Sequence, residues 1–252
     1  MNNVAKLLIA AAAVVVVTLV GLNLMPAGRG PGGSGPTVSP SPSSTPTATP
    51  TPSPSPATVF PPSGTLAADT KLAMTLDGVP LTFSVPTSGW VGDGRCCIDN
   101  GKVGPDGTDP DGASFIFWTT DTPVGVYADP CAHVKGVASP DASTADLAAA
   151  VAAVPGTDLV SGPSDVTVGG YPAKHVVLRI RDDVACTSEQ FMLWYSTTSG
   201  FERNAAQLGS TTAVWIVDVD GTTVWIDGDT FKGAGTEPAQ AIQQVIDSIQ
   251  FE

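Results

Sequence analysis

The segment LLIAAAAVVVVTLVGL, Leu7 to Leu22, and the proline-rich stretch behind it decide how much of this chain is left to fold. From Leu7 to Met25 only Thr18, Gly21 and Asn23 interrupt the hydrocarbon, a length that matches the roughly 20 helical residues needed to cross a bilayer core. Residues 1–25 therefore read as one N-terminal transmembrane anchor. Lys6 and the amino terminus precede the run and Arg29 follows it, a small bias that keeps the N-terminus in the cytoplasm and sends the C-terminal bulk outside. A cleaved signal peptide is the rival reading, since Lys6, the apolar run and Ala27 suit one, although no clean small-x-small site follows. No cysteine precedes Cys96, so there is no lipobox thiol.

Residues 26–63 hold 12 of the chain's 23 prolines among Ser, Thr and Gly. A segment so poor in large apolar side chains cannot offset its ordering entropy, and alternating proline favours an extended polyproline II tether. About 190 residues then remain for residues 64–252, the size of one ordinary domain. Lys6 and Arg29 are the only basic residues before Asp69, so that part carries 24 acids against nine basic residues, a charge of −15. Such a field repels phosphate backbones and argues against nucleic acid as a partner. Its simplest reading is solubility outside the cell.

Turn signals and alternation divide this part into short strands. LAMTLDGVPLTFSVP (Leu72 to Pro86) predicts a hairpin about Asp77-Gly78, and ASFIFWTT and VGVYADPC predict further strands. Ser143 with Asp146 three residues later forms a capping-box pattern ahead of Leu147, Val151 and Val154, and Pro155-Gly156 closes that helix. DVTVGG and PAKHVVLRIR follow, the latter alternating Val176, Leu178 and Ile180 against Val177 and two arginines. EQFMLWYS, and then TTAVWIVDVDG and TTVWIDG joined through Asp220-Gly221, complete the strands. Thr236 and Pro238 open a last helix with a stripe of Ile242, Val245, Ile246 and Ile249. Strands joined by short turns, with two helices set apart, define an α+β domain: an antiparallel β-sheet with two main helices packed on it, a pure sandwich being the runner-up.

GWV at Trp90, YADPC at Tyr127 to Cys131, DVTVGGYPAKHV at Asp165 to Val176, Cys186, and VWIVDVDGTTVWIDG followed by IQQVIDSIQF are carried by this chain. With these it resembles a family of uncharacterised actinobacterial secreted or membrane-tethered domains, similar to the PsbP-like fold of mycobacterial LpqN-type lipoproteins. The resemblance covers Leu72 to Glu252 and rests on packing and turn motifs. It implies an α/β/α sandwich in an actinobacterial envelope and no nameable enzyme activity. The chain departs from the lipoprotein members in lacking a lipidated cysteine and in carrying the Cys96-Cys97 pair.

Cys96, Cys97, Cys131 and Cys186 all follow the anchor, on the side where disulfides persist, and four cysteines allow three connectivities. The resemblance favours Cys131 with Cys186. A zinc site from these thiols with His133 lacks the usual C-x-x-C spacing.

The remaining chemistry is sparse, and no cofactor signature is present. His133 and His175, the two histidines, stand in no H-E-x-x-H or G-x-S-x-G pattern and read as structural residues. Asp106, Asp109 and Asp111 cluster as a candidate for weak Ca²⁺ binding, but Gly107 and Trp118 stand where an EF-type loop places its first carboxylate and its bidentate Glu. A solvated Asp-Gly turn is the simpler reading. Trp118, Trp194, Trp215 and Trp225 alternate within strands and suit a core, whereas Trp90 follows Ser88-Gly89 in a turn and is the candidate ligand contact. The leading expectation is a non-catalytic ectodomain that binds a small apolar or envelope ligand, a lipid or a protein partner at the cell surface. A hydrolase, needing a base such as His175 beside a carboxylate, is the alternative, and a purely structural surface domain is the third reading.

Overall fold

The computed structural model describes residues 57–252, apart from 77, 95–96, 104–108, 110, 119–123, 137–141 and 198–199 and the side chains of 115–118. The expected anchor and nearly all of the expected tether lie outside the described residues. In chain order the strands are β1 (Thr58–Val59), β2 (Ser63–Thr65), β3 (Lys71–Leu76), β4 (Val79–Ser84), β5 (Val91–Asp93), β6 (Cys97–Asp99), β7 (Ala113–Trp118), β8 (Val124–Asp129) and β9 (Val134–Lys135). Helix α1 (Thr144–Ala152) follows, then β10 (Thr157–Val168), β11 (Tyr171–Ile180), β12 (Met192–Ser196), β13 (Glu202–Asn204), β14 (Thr211–Val219), β15 (Thr222–Thr230), α2 (Thr236–Asp247) and β16 (Gln250–Phe251).

Eight strands in the order β10-β11-β14-β15-β7-β6-β5-β2 form the central antiparallel sheet. Its period-2 alternation feeds two cores. Trp215, Val217, Val224 and Ile226 point to one face, where they meet Leu72, Leu81 and Phe83 of the small sheet β1-β3-β4-β16 and Ile242, Val245 and Ile246 of α2. Val176, Leu178, Ile180, Val214, Ile216 and Trp225 point to the other, against Leu147 and Val151 of α1 and Leu193 and Trp194 of the second small sheet, β13-β12-β8-β9. The class is α+β, with one helix on each face of the sheet. Each helix covers only part of its face, and a small sheet covers the rest.

Local chemistry explains the elements. Ser143 Oγ accepts from Asp146 N at 3.2 Å while Asp146 Oδ2 accepts from Ser143 N at 3.1 Å, so the capping box starts α1 as its sequence predicts. The apolar stripe of α2 buries Ile242, Val245 and Ile246, each contributing roughly 1.5–3 kcal/mol. Val176, Leu178 and Ile180 are buried on β11 while Arg179 alternates with them, again as expected.

Two boundaries move. Residues 57–63, read from composition as the end of the linker, carry β1 and the start of β2, and Phe60 packs its ring 5.7 Å from that of Phe83. A proline-rich composition does not prevent single apolar residues from docking. Strand β10 is twice the length that DVTVGG suggests, because it runs on through Gly162-Pro163. Proline is tolerated there because β10 is an edge strand, and its pairing with β11 shifts register on both sides of Ser161. Gly162 sits at φ +87°, and a Cβ would stand 2.3 Å from the His175 carbonyl oxygen.

Candidate cleft beside the closing helix

Arg179, Thr211 and Thr230 are cross-strand neighbours on β11, β14 and β15. Helix α2 packs its stripe onto β15, β7 and β4, so the flank carrying Thr236, Ala239, Gln240 and Gln243 stands beside these three residues. Its spacing of three and four residues is that of one helical face. Between the flank, the three sheet residues and the loop Gly233 to Gly235 lies an open cleft of about 630 Å³, within the roughly 300–1,000 Å³ of small-molecule sites.

The cations near the cleft already have partners. Arg179 Nη2 donates to Asp182 Oδ2 at 2.8 Å and Nη1 lies 3.9 Å from Asp158. Lys232 Nζ donates to the second Asp182 oxygen at 2.7 Å. The Lys232 ammonium, and then Arg179, hold the Asp182 carboxyl below the usual carboxylate range. Besides a good deal of carbon surface, what the cleft offers is hydroxyl, carboxamide and backbone groups.

A second polar group lies on the opposite face of the sheet. Arg203 of β13, only 8% exposed, reaches between the fully buried Asp227 and Asp229 of β15. Its Nε donates to Asp227 Oδ1 at 3.2 Å and its Nη2 to Asp229 Oδ2. Thr212 Oγ1 donates to Asp229 Oδ1 at 2.6 Å and Trp194 Nε1 to Asp227 Oδ2 at 3.3 Å. Two carboxylates out of water require such partners, since an unpaired buried ion costs several kcal/mol. The cluster is a sealed tie between β13 and the central sheet, not a substrate site.

The structure disperses the residues singled out in the sequence. Trp90, expected in a turn facing ligand, is 1% exposed in the α2-side core. The turn lies just before it, and Leu66 N donates to the Trp90 carbonyl at 2.7 Å, which fixes the backbone there. Cys131 and Cys186 form a disulfide with Cα atoms 5.6 Å apart. No described cysteine is free, and Cys96 lies outside the described residues. His133 is exposed, with Nε2 2.9 Å from the Gln190 carbonyl oxygen. His175 stacks on Trp215, ring centroids 4.7 Å apart, with Nε2 buried and unpartnered, and burial pushes its pKa down. Asp106 lies outside the described residues. Asp109 Oδ1 accepts from Asp111 N at 2.9 Å, and Asp111 faces Lys102 at 4.0 Å, so each of these two carboxylates has a partner close by in the chain. Among the described residues no three His, Cys, Asp or Glu side chains gather as a metal site, and no helix is long and apolar enough to cross a membrane.

Sequence reading missed Arg203, Asp227 and Asp229, and it placed Arg179 on a solvent face without its neighbours. Alternation alone puts Asp227 and Asp229 beside Trp225, on a buried face, and that was the available signal.

This architecture is an α+β domain with a central antiparallel sheet. No protein-family model and no curated protein sequence matches the chain. Among solved structures it is similar to LpqN of Mycobacterium tuberculosis, described as involved in cell envelope biogenesis. The TM-score is 0.37 with 12% identity, over 77% of this chain and 88% of that one. A likeness of that size assigns no residue of this chain a role.

Proposed function

We propose that the chain is a membrane-tethered, extracytoplasmic, non-catalytic domain that takes a small ligand in the cleft beside α2. Residues 1–25 anchor it with the N-terminus cytoplasmic, residues after 25 hold it off the membrane, and the folded body, of PsbP-like plan, works at the cell surface. The apolar run and the proline-rich stretch support the anchor and tether. The observation that carries the binding role is the open 630 Å³ cleft, whose walls bring together Arg179, Thr211, Thr230 and the Gln240 and Gln243 carboxamides without pairing a nucleophile and a base. The hydrolase alternative needs His175 beside a carboxylate, and the neighbour described for that ring is Trp215.

Thermal melting of the full chain against a broad small-molecule panel tests this reading. Ala239 is exposed on the cleft flank of α2, so Ala239→Trp fills the cleft without entering the core. A saturable rise in Tm that Ala239→Trp abolishes is the expected result. A flat response across the panel, or one indifferent to that substitution, contradicts the proposal.

A further inference from the structure

We infer that the ligand of this cleft is a neutral, hydroxyl-rich molecule, a mono- or disaccharide unit; the inference rests on the reading of the cleft as a binding site. Charge argues against two of the other ligand classes. An anion would need a free cation, but Arg179 is bonded to Asp182 and faces Asp158, and Lys232 is bonded to Asp182. Glu237 in the first turn of α2 and the chain's net charge of −13 further oppose an anion. A cationic ligand would need an unpaired carboxylate, and none lines the cleft among the described residues.

An apolar ligand would meet carbon surface on the Thr, Ala and Gln side chains but no large exposed side chain to hold it. Phe231, the large apolar residue of the lining, is 5% exposed, and its ring faces Gly112, where a Cβ would stand 2.8 Å from it. The rest of the surface is Thr, Gln, Gly, Ala and Arg. A peptide strand is disfavoured on different grounds. The cleft lies on a sheet face where Arg179 pairs with Thr211 and Thr211 with Thr230 in continuous ladders, so their backbone groups are already used.

Saccharides match what is left. Sugar hydroxyls both donate and accept, as do Thr hydroxyls and Gln carboxamides, so Thr211, Thr230 and Gln240 can pair with them without leaving charge unbalanced. Gln243 Nε2 is bonded to Asp247 at 2.8 Å, which leaves its carbonyl oxygen available as an acceptor.

Saturation-transfer difference NMR on the full chain tests the inference, with cellobiose, maltose and chitobiose as neutral saccharide probes. Glucose 6-phosphate, decanoate and tri-alanine are the anionic, apolar and peptide controls. At least one disaccharide is expected to give a saturable signal that Ala239→Trp removes. Thr211→Val combined with Gln240→Ala should raise its Kd by about tenfold, the loss of roughly one net hydrogen bond's free energy, with Tm held near wild type. If only a control binds, and Ala239→Trp removes it, the ligand class is wrong while the cleft remains a binding site. If no probe binds, the ligand class fails and the cleft reading is left to the broad panel; if a probe binds but Ala239→Trp leaves its signal intact, both the ligand class and the cleft reading fail.

Discussion

Arg203 holds two carboxylates in the interior, and the cost of removing it is set by what it would leave behind. Asp227 and Asp229 are fully buried, and breaking a buried ion pair by deleting one partner costs about 3–5 kcal/mol. Arg203→Met should therefore lower the unfolding free energy by about that amount in urea denaturation. Thr212→Val, which strips a single donor from Asp229, should cost about 1–3 kcal/mol. His175 supplies the pH dependence. Burial lowers its folded pKa, so the unfolded chain takes up a proton that the folded chain resists. The stability this residue provides is complete above its unfolded pKa of about 6.5 and is lost as pH falls through the lower, folded value. His175→Phe keeps a ring against Trp215, and its midpoint denaturant concentration should fall less than wild type as pH drops from about 7 to 5.

Elements were legible where local pattern and tertiary context agree. The Ser143 box, the α2 stripe and the hairpin through Asp220-Gly221 stand where the sequence puts them, because capping, 3.6-residue spacing and an Asp-Gly turn are local instructions. Ser143→Ala should cost about 1 kcal/mol, read from the shift in Tm. Strands such as β5, β6 and β13 carry three residues each, too few to show a period. They exist because a neighbouring edge recruits them, and that is information from distant parts of the chain. The same holds for the candidate site. Arg179, Thr211 and Thr230 are spread over 51 positions, and only the strand order makes them neighbours. The Cys131–Cys186 bond was suggested by resemblance and is present in the fold, tying the end of β8 to the segment after β11. It closes a loop across a sequence separation of 55, so removing both thiols with Cys131→Ala and Cys186→Ala should cost about 4 kcal/mol in denaturant titration.

At the scale of the whole molecule, the chain couples a greasy segment, a proline-rich stretch and an acidic folded body in that order. In the function proposed above these are an anchor, a stalk and a ligand-binding head on the outer side of the membrane. An acidic head repels anionic lipid surfaces, which suits a domain held away from the bilayer instead of lying on it. Proteolysis of intact, wall-stripped cells tests that arrangement most directly. Protease added outside should cut within the proline-rich stretch and release a resistant fragment beginning near residue 57, with Cys131 and Cys186 still joined. A head that stays protected until the cells are lysed, with both sulfurs open to alkylation, would contradict the account.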